Sequence, residues 1–172
     1  MIVKLVETNQ KEYIQQIRDI FWEYLVWANS RINQEYNITL DIASAIEDDM
    51  AHLGKFMPPS GCLLLSLAGN QLDGIACMKI LTPEIGEIKR MYVRQDHRGK
   101  GLGRSLVQRL IEEAGQTGYR QLRLDSARFM QVAHHLYRSM GFHDIQPYKG
   151  SEIPVEYQGH WVFMEMDLAA PK

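Results

Sequence analysis

Arg98-Gly99-Lys100-Gly101-Leu102-Gly103-Arg104 brings three glycines at alternate positions together with three cationic side chains. The stretch follows an apolar-alternating run, Glu87 to Val93, and opens a helical pattern of Leu102, Leu106, Leu110 and Ala114. A strand, a glycine-rich turn and a helix start place unpaired backbone N–H groups around one point, with the helix dipole behind them. The glycines let backbone approach a ligand closely, and Arg98, Lys100 and Arg104 bring charge for phosphate oxygens. The ligand implied is an anion, and a diphosphate fits it. The spacing Gly99-x-Gly101-x-Gly103 followed by Arg104 matches neither the Walker pattern, which needs a Lys-Ser/Thr pair after its last glycine, nor the Gly-x-Gly-x-x-Gly dinucleotide fingerprint.

The rest of the composition narrows the setting. At 172 residues with 45% hydrophobic content, the chain is expected to form a single domain, 1–172, around a sizeable core. A net charge of −2 disfavours bulk binding of nucleic acid, so the basic cluster from Arg94 to Arg104 calls for a local explanation. Cys62 and Cys77 lie in apolar alternating runs and are expected to be buried and structural. The apolar run at the N-terminus carries Lys4 and Glu7, unlike a secretion signal, and Cys62 to Ala68 is too short for a membrane span. The expectation is a cytoplasmic protein with no membrane or nucleic-acid partner, as a monomer or homodimer.

The elements that must position the loop can be read in order. Ile2 to Glu7 reads as a strand. Asn9 and Glu12 form a plausible capping pair for a helix with Ile14, Ile17, Phe21, Tyr24 and Ala28 on one face, and Trp22 and Trp27 lie off it, as core edge or pocket wall. Asn29 to Thr39 reads as polar and irregular. Ile42, Ile46, Met50 and Leu53 mark a second helix, whose Asp41, Glu47, Asp48 and Asp49 suggest an acidic solvated face. Cys62 to Ala68, Leu72 to Leu81 and Glu87 to Val93 read as three antiparallel strands leading into the loop, with Pro83 to Gly86 as a turn. Gly118 supplies a left-handed end for the helix after the loop, and Gln121 to Asp125 returns as a strand parallel to the one before it. A helix with Val132, Ala133, Leu136, Tyr137 and Met140 follows, then strands at Phe142 to Ile145 and Trp161 to Leu168. His134 and His135 point in different directions and suggest no metal site.

Arg98-x-x-Gly101-x-Gly103 resembles the Arg/Gln-x-x-Gly-x-Gly/Ala pyrophosphate loop of the GNAT superfamily of N-acetyltransferases. Leu136-Tyr137-Arg138-Ser139-Met140-Gly141-Phe142 is similar to that family's Leu-Tyr-x-x-x-Gly-Phe signature, and the order of elements agrees across nearly the whole chain. The fold implied is α/β (α+β): a mixed, mostly antiparallel sheet of roughly seven strands flanked by roughly four helices. The resemblance implies acetyl-CoA as co-substrate, with Arg98, Gly99, Lys100, Gly101, Leu102, Gly103 and Arg104 on the diphosphate. It also implies that the pantetheine arm pairs with backbone near Met91, Tyr92 and Val93, where two strands splay. Tyr137 then protonates the departing thiolate, and Glu87 occupies a strand position where some members carry a base while others use water chains. Alternation along a regular strand puts Glu87 on one face with Lys89, Met91 and Val93.

The implied activity is acetyl transfer to a primary amine of a small molecule, peptide or protein. A non-catalytic acyl-CoA sensor is the alternative, separable by thiol release from acetyl-CoA. The acceptor itself has no readable motif.

Overall fold

The computed structural model describes residues 1–6 and 9–168. Ile2–Lys4 forms β1, and Glu7, at the expected end of that strand, lies outside the described residues. Gln10–Tyr36 is one helix, α1, with Ile17, Ile20, Phe21, Ala28 and Ile32 buried along it. The segment expected to be irregular therefore continues the helix. Its polar residues hide a stripe that Ile32 extends, and the helix stops only where Asn37 takes a left-handed φ of 55° and returns its N–H to Asn33. Asn9 makes no side-chain cap; its Oδ1 instead accepts from the Val6 N–H. Asp41 does cap α2, Ile42–Ala51, by accepting from the Ser44 N–H.

Cys62–Ala68, Gln71–Thr82 and Ile85–Val93 are β2, β3 and β4, an antiparallel meander. β4 begins at Ile85, inside the expected turn and two residues before the expected strand start at Glu87, because Ile85 still pairs with Thr82. α3 spans Leu102–Thr117 and ends at Gly118 with φ 92°, as its sequence demands. β5 is Gln121–Ala127, α4 Gln131–Ser139, β6 His143–Ile145 and β7 Trp161–Asp167. The sheet order is β1-β2-β3-β4-β5-β7-β6, with β4 and β5 its parallel pair.

The sheet is covered on both faces, which explains why β2 is apolar almost without interruption. On one face Leu106, Val107 and Leu110 of α3 meet Tyr137 and Phe142 over Leu64, Ile88 and Leu124. On the other, Ile17, Ile20 and Phe21 of α1 pack on Leu63, Leu65, Ile75 and Tyr92. Cys62 and Cys77 are both buried, and burial pushes the Cys62 thiol up to about 12.

Two irregularities of β4 shape the site. It pairs with β5 only at Ile85, Gly86 and Glu87, opposite Gln121, Leu122 and Arg123; beyond Glu87 the two strands part. Its register against β3 also shifts, from Cys77 opposite Lys89 to Ile75 opposite Tyr92, with Arg90 at φ 50°. This bulge corrects the alternation expected from the sequence: Met91 and Val93 pack with Ile88 on the α3 face, while Glu87 meets Tyr148 on the other. One extra residue in a strand exchanges the faces of everything after it.

Candidate active site

A short 3₁₀ turn, Gln95–His97, carries the chain from β4 into the glycine-rich loop. Gly99 and Gly101 have φ of 75° and 80°, a conformation that a side chain would strain. Among the described residues, the N–H groups from residue 99 to 104 find no protein acceptor; the next one, of Ser105, reaches the Gly101 carbonyl. These donors open on a cleft of about 550 Å³ lined by Arg98, Gly99, Gly101, Leu102, Gly103 and Arg104, with Met91, Tyr92 and Val93 along its strand side. Arg98 is held by donating to the Val93 carbonyl at 2.8 Å and by lying over the Trp27 and Tyr92 rings, 5.2 and 5.3 Å from their centroids. Arg104 donates to Ser139 Oγ. Lys100 instead reaches back to the Asp96 carbonyl and is not on the cleft wall. Trp27 serves as pocket wall, whereas Trp22 is half-exposed.

Where β4 and β5 part, the cleft continues into a smaller one of about 100 Å³ on the α1 side. Tyr24, Met91, Met130, Ala133 and Tyr137 line both. Tyr137 is 6% exposed, and its ring lies edge-on to Phe142. Burial raises its phenol pKa, and Tyr24 and Asp125 add to the shift. The hydroxyl therefore stays protonated at neutral pH.

The inner cleft is charged. Glu87 is wholly buried one layer behind its wall: Oε1 accepts from the Tyr148 hydroxyl at 2.8 Å and lies 3.2 Å from Lys89 Nζ, while Oε2 has no hydrogen bond and lies 3.5 Å from Lys79 Nζ. Glu87 lines neither cleft. Lys89, 2.7 Å from Asp125 Oδ2, does line the inner one, with Arg90, Asp125 and Glu152. Burial pulls the Lys89 pKa down, but Asp125, Glu87 and Glu152 outweigh it and hold the ammonium above its ordinary range. Burial likewise works against the Glu152 carboxylate, yet Lys89, Lys79 and Arg90 bring its pKa down to about 2. Asp49, expected on a solvated face, is 1% exposed and bridges Arg90 and Lys55, because the helix turns it toward the sheet. Among the described residues, no group of His, Cys, Asp and Glu could hold a metal ion. No described helix is long and apolar enough to cross a membrane.

Tyr24, Lys89, Arg90, Asp125 and Glu152 are not singled out by sequence. Lys89 alone leaves a signal, as a second charge on the same strand face as Glu87.

The acetyltransferase (GNAT) family model matches residues 14–142. The chain belongs to the GNAT acetyltransferase family. An uncharacterised N-acetyltransferase of Schizosaccharomyces pombe is 31% identical over 139 residues, covering 79% of this chain and 82% of that protein. Among solved structures, a GNAT family acetyltransferase from Staphylococcus aureus superposes with a TM-score of 0.71 at 17% identity, covering 98% of this chain and 99% of that one. The PaiA N-acetyltransferase of Thermoplasma acidophilum, in complex with coenzyme A, gives 0.63 at 19% identity over 97% and 98% of the two chains. At these identities the superpositions establish the GNAT fold.

Proposed function

We propose that this GNAT protein transfers an acetyl group from acetyl-CoA to the amine of a small molecule or peptide by direct attack. The observation that carries the reading is the junction: Tyr137 lines both the loop cleft and the inner cleft, at the point where β4 and β5 separate. In this reading the free N–H groups of the loop, with Arg98 and Arg104, hold the diphosphate, and the unpaired edge of β4 near Met91, Tyr92 and Val93 takes the pantetheine as a strand takes a neighbour. A backbone N–H of that edge stabilises the oxyanion as the amine nitrogen bonds to the carbonyl carbon. When the C–S bond breaks, Tyr137 gives its proton to sulfur. The raised pKa keeps that proton available but makes the phenol a weak acid, so it is transferred as negative charge develops on the thiolate.

The proton lost by the amine travels to Glu87 through water, since the carboxylate lies behind the cleft wall. Its Oε2, buried without a hydrogen bond, is an acceptor suited to that task. Thiol release from acetyl-CoA, measured with and without amines and coupled to mass detection of the acetylated product, tests the proposal. Tight coenzyme A binding without amine-dependent release would favour an acyl-CoA sensor instead.

A further inference from the structure

The bulge in β4 puts two consecutive cations, Lys89 and Arg90, on the wall of the inner cleft. In a regular strand Arg90 would face the opposite way from Lys89, toward α3. A left-handed arginine is strained, and strain of this kind gathers at ligand sites. Asp49 holds the side chain by accepting from Nε.

The rest of the guanidinium is unused. Nη2 is 3.9 Å from Glu152 Oε2, too far for a hydrogen bond, and neither Nη1 nor Nη2 donates to any described residue. Yet the side chain is only 16% exposed. Across the same cleft, Asp125 Oδ2 accepts from Lys89 and Ser151, whereas Oδ1 accepts from none of the described residues. The cleft thus presents a free pair of charged donors and a free anionic acceptor. Lys55, Lys79, Lys89 and Arg90 are already matched in charge by Asp48, Asp49, Glu87, Asp125 and Glu152, so what the cleft leaves open is hydrogen-bonding capacity and not net charge.

We propose that the acceptor is a small amine bearing its own carboxylate, an amino acid or close analogue. Its carboxylate lies on Nη1 and Nη2 of Arg90, and its ammonium rests on Asp125 Oδ1 before deprotonation. The planar fork of arginine matches a carboxylate in two parallel hydrogen bonds, and a polyamine would instead bring positive charge against Lys89 and Arg90. The volume of about 100 Å³ limits the acceptor to a short molecule if its amine is to reach Tyr137. The inference rests on the acetyl-transfer reading for the reaction, not for the binding.

Two measurements separate them. The first is kcat/KM with acetyl-CoA for α- and ω-amino acids, each as free acid, amide and decarboxylated amine. The expected result is a preference for the acid of at least tenfold in one or more sets. Arg90→Gln should remove about a hundredfold from the acid, mostly through KM, leave the amide within about twofold, and Arg90→Lys should recover part of the loss. The second is saturation-transfer NMR of the same acids and amides on the wild-type coenzyme A complex. It needs neither turnover nor a variant that folds. Acid-selective binding without thiol release would uphold the site and overturn acetyl transfer. Equal use and equal binding of acid and amide, or equal losses in Arg90→Gln, would overturn the carboxylate site while leaving the reaction standing.

Discussion

The two ends of the cleft are built from different materials. At the loop end, backbone makes the site: left-handed glycines and N–H groups with no acceptor among the described residues open on the cleft, and the basic side chains are anchored on carbonyls, a hydroxyl and aromatic rings. At the inner end, side chains make it, in a buried mesh of opposite charges in which Lys89 and Glu87 have almost no exposure. Backbone donors recognise whatever brings a diphosphate and are indifferent to the rest of the ligand. Buried charge pairs are selective, since each must be matched or left at a cost of desolvation. A donor shared across many reactions suits the first construction, and an acceptor peculiar to one protein suits the second.

Tyr137→Phe acts at the boundary between the two ends and should have the largest effect. Removing the hydroxyl keeps the ring on Phe142, so coenzyme A affinity by calorimetry should hardly change, while kcat falls by about 10² to 10⁴. The loss should shrink with acyl donors whose leaving thiol has a lower pKa. Equal loss with every donor would leave Tyr137 a packing residue and break the division at its centre.

Glu87→Gln probes the side-chain end. Turnover should drop on the order of tenfold at the acidic limb of the pH–rate profile and less at high pH, where the free amine is abundant and a base is least needed. A profile parallel to wild type would assign Glu87 to holding Tyr148 and the two lysines.

Gly101→Val and Gly103→Ala sharpen the contrast at the backbone end. Valine at φ 80° is strained by roughly 1–2 kcal/mol and would intrude on the proposed phosphate position, so coenzyme A should bind about tenfold more weakly. At Gly103 a Cβ would make only ordinary contacts, 3.4 Å from Leu136 and 3.5 Å from Met91, and a smaller loss is expected. Calorimetry on both folded variants checks the order.

Glu152 should give the smallest effect. Its folded-state pKa of about 2 lies below the unfolded value near 4.3, so it stabilises the fold above that pH and loses this contribution as pH falls toward about 2. Because the side chain is 41% exposed, solvent screening holds the gain to about 1 kcal/mol or less. The difference in Tm between wild type and Glu152→Gln should therefore be small at pH 7 and shrink at pH 4.

The same contrast explains which parts of the site are legible in the sequence. Gly99, Gly101 and Gly103 can be read because the glycine-rich turn into α3 shows a residue type at fixed spacing, and Tyr137 because its neighbours Leu136, Gly141 and Phe142 form a local pattern. The strands at Cys62–Ala68 and Trp161–Asp167 and the helix end at Gly118 follow equally local rules. Arg90, Asp49, Asp125 and Glu152 come from four separate elements and meet only after folding, so no spacing announces them. Alternation misplaces Met91 and Val93 because it assumes an unbroken ladder, and nothing in Lys89-Arg90-Met91 marks the bulge. The far end of α1 escapes a local reading because tertiary burial of Ile32 outweighs the polar character of its neighbours.

The shift at Arg90 also has a bearing on how this protein can change. In an unbroken strand, every second residue would share neighbours, and altering an acceptor contact would disturb those beside the donor. Here the odd-numbered residues on either side of Arg90 look in opposite directions: Glu87 and Lys89 toward Tyr148 and Asp125, Met91 and Val93 toward the α3 core. Lys89 and Met91 still meet at the inner cleft, but substitution at Glu87 leaves the packing of Val93 intact. Under the proposed assignment, a single strand keeps its hold on one ligand while its taste for the other drifts.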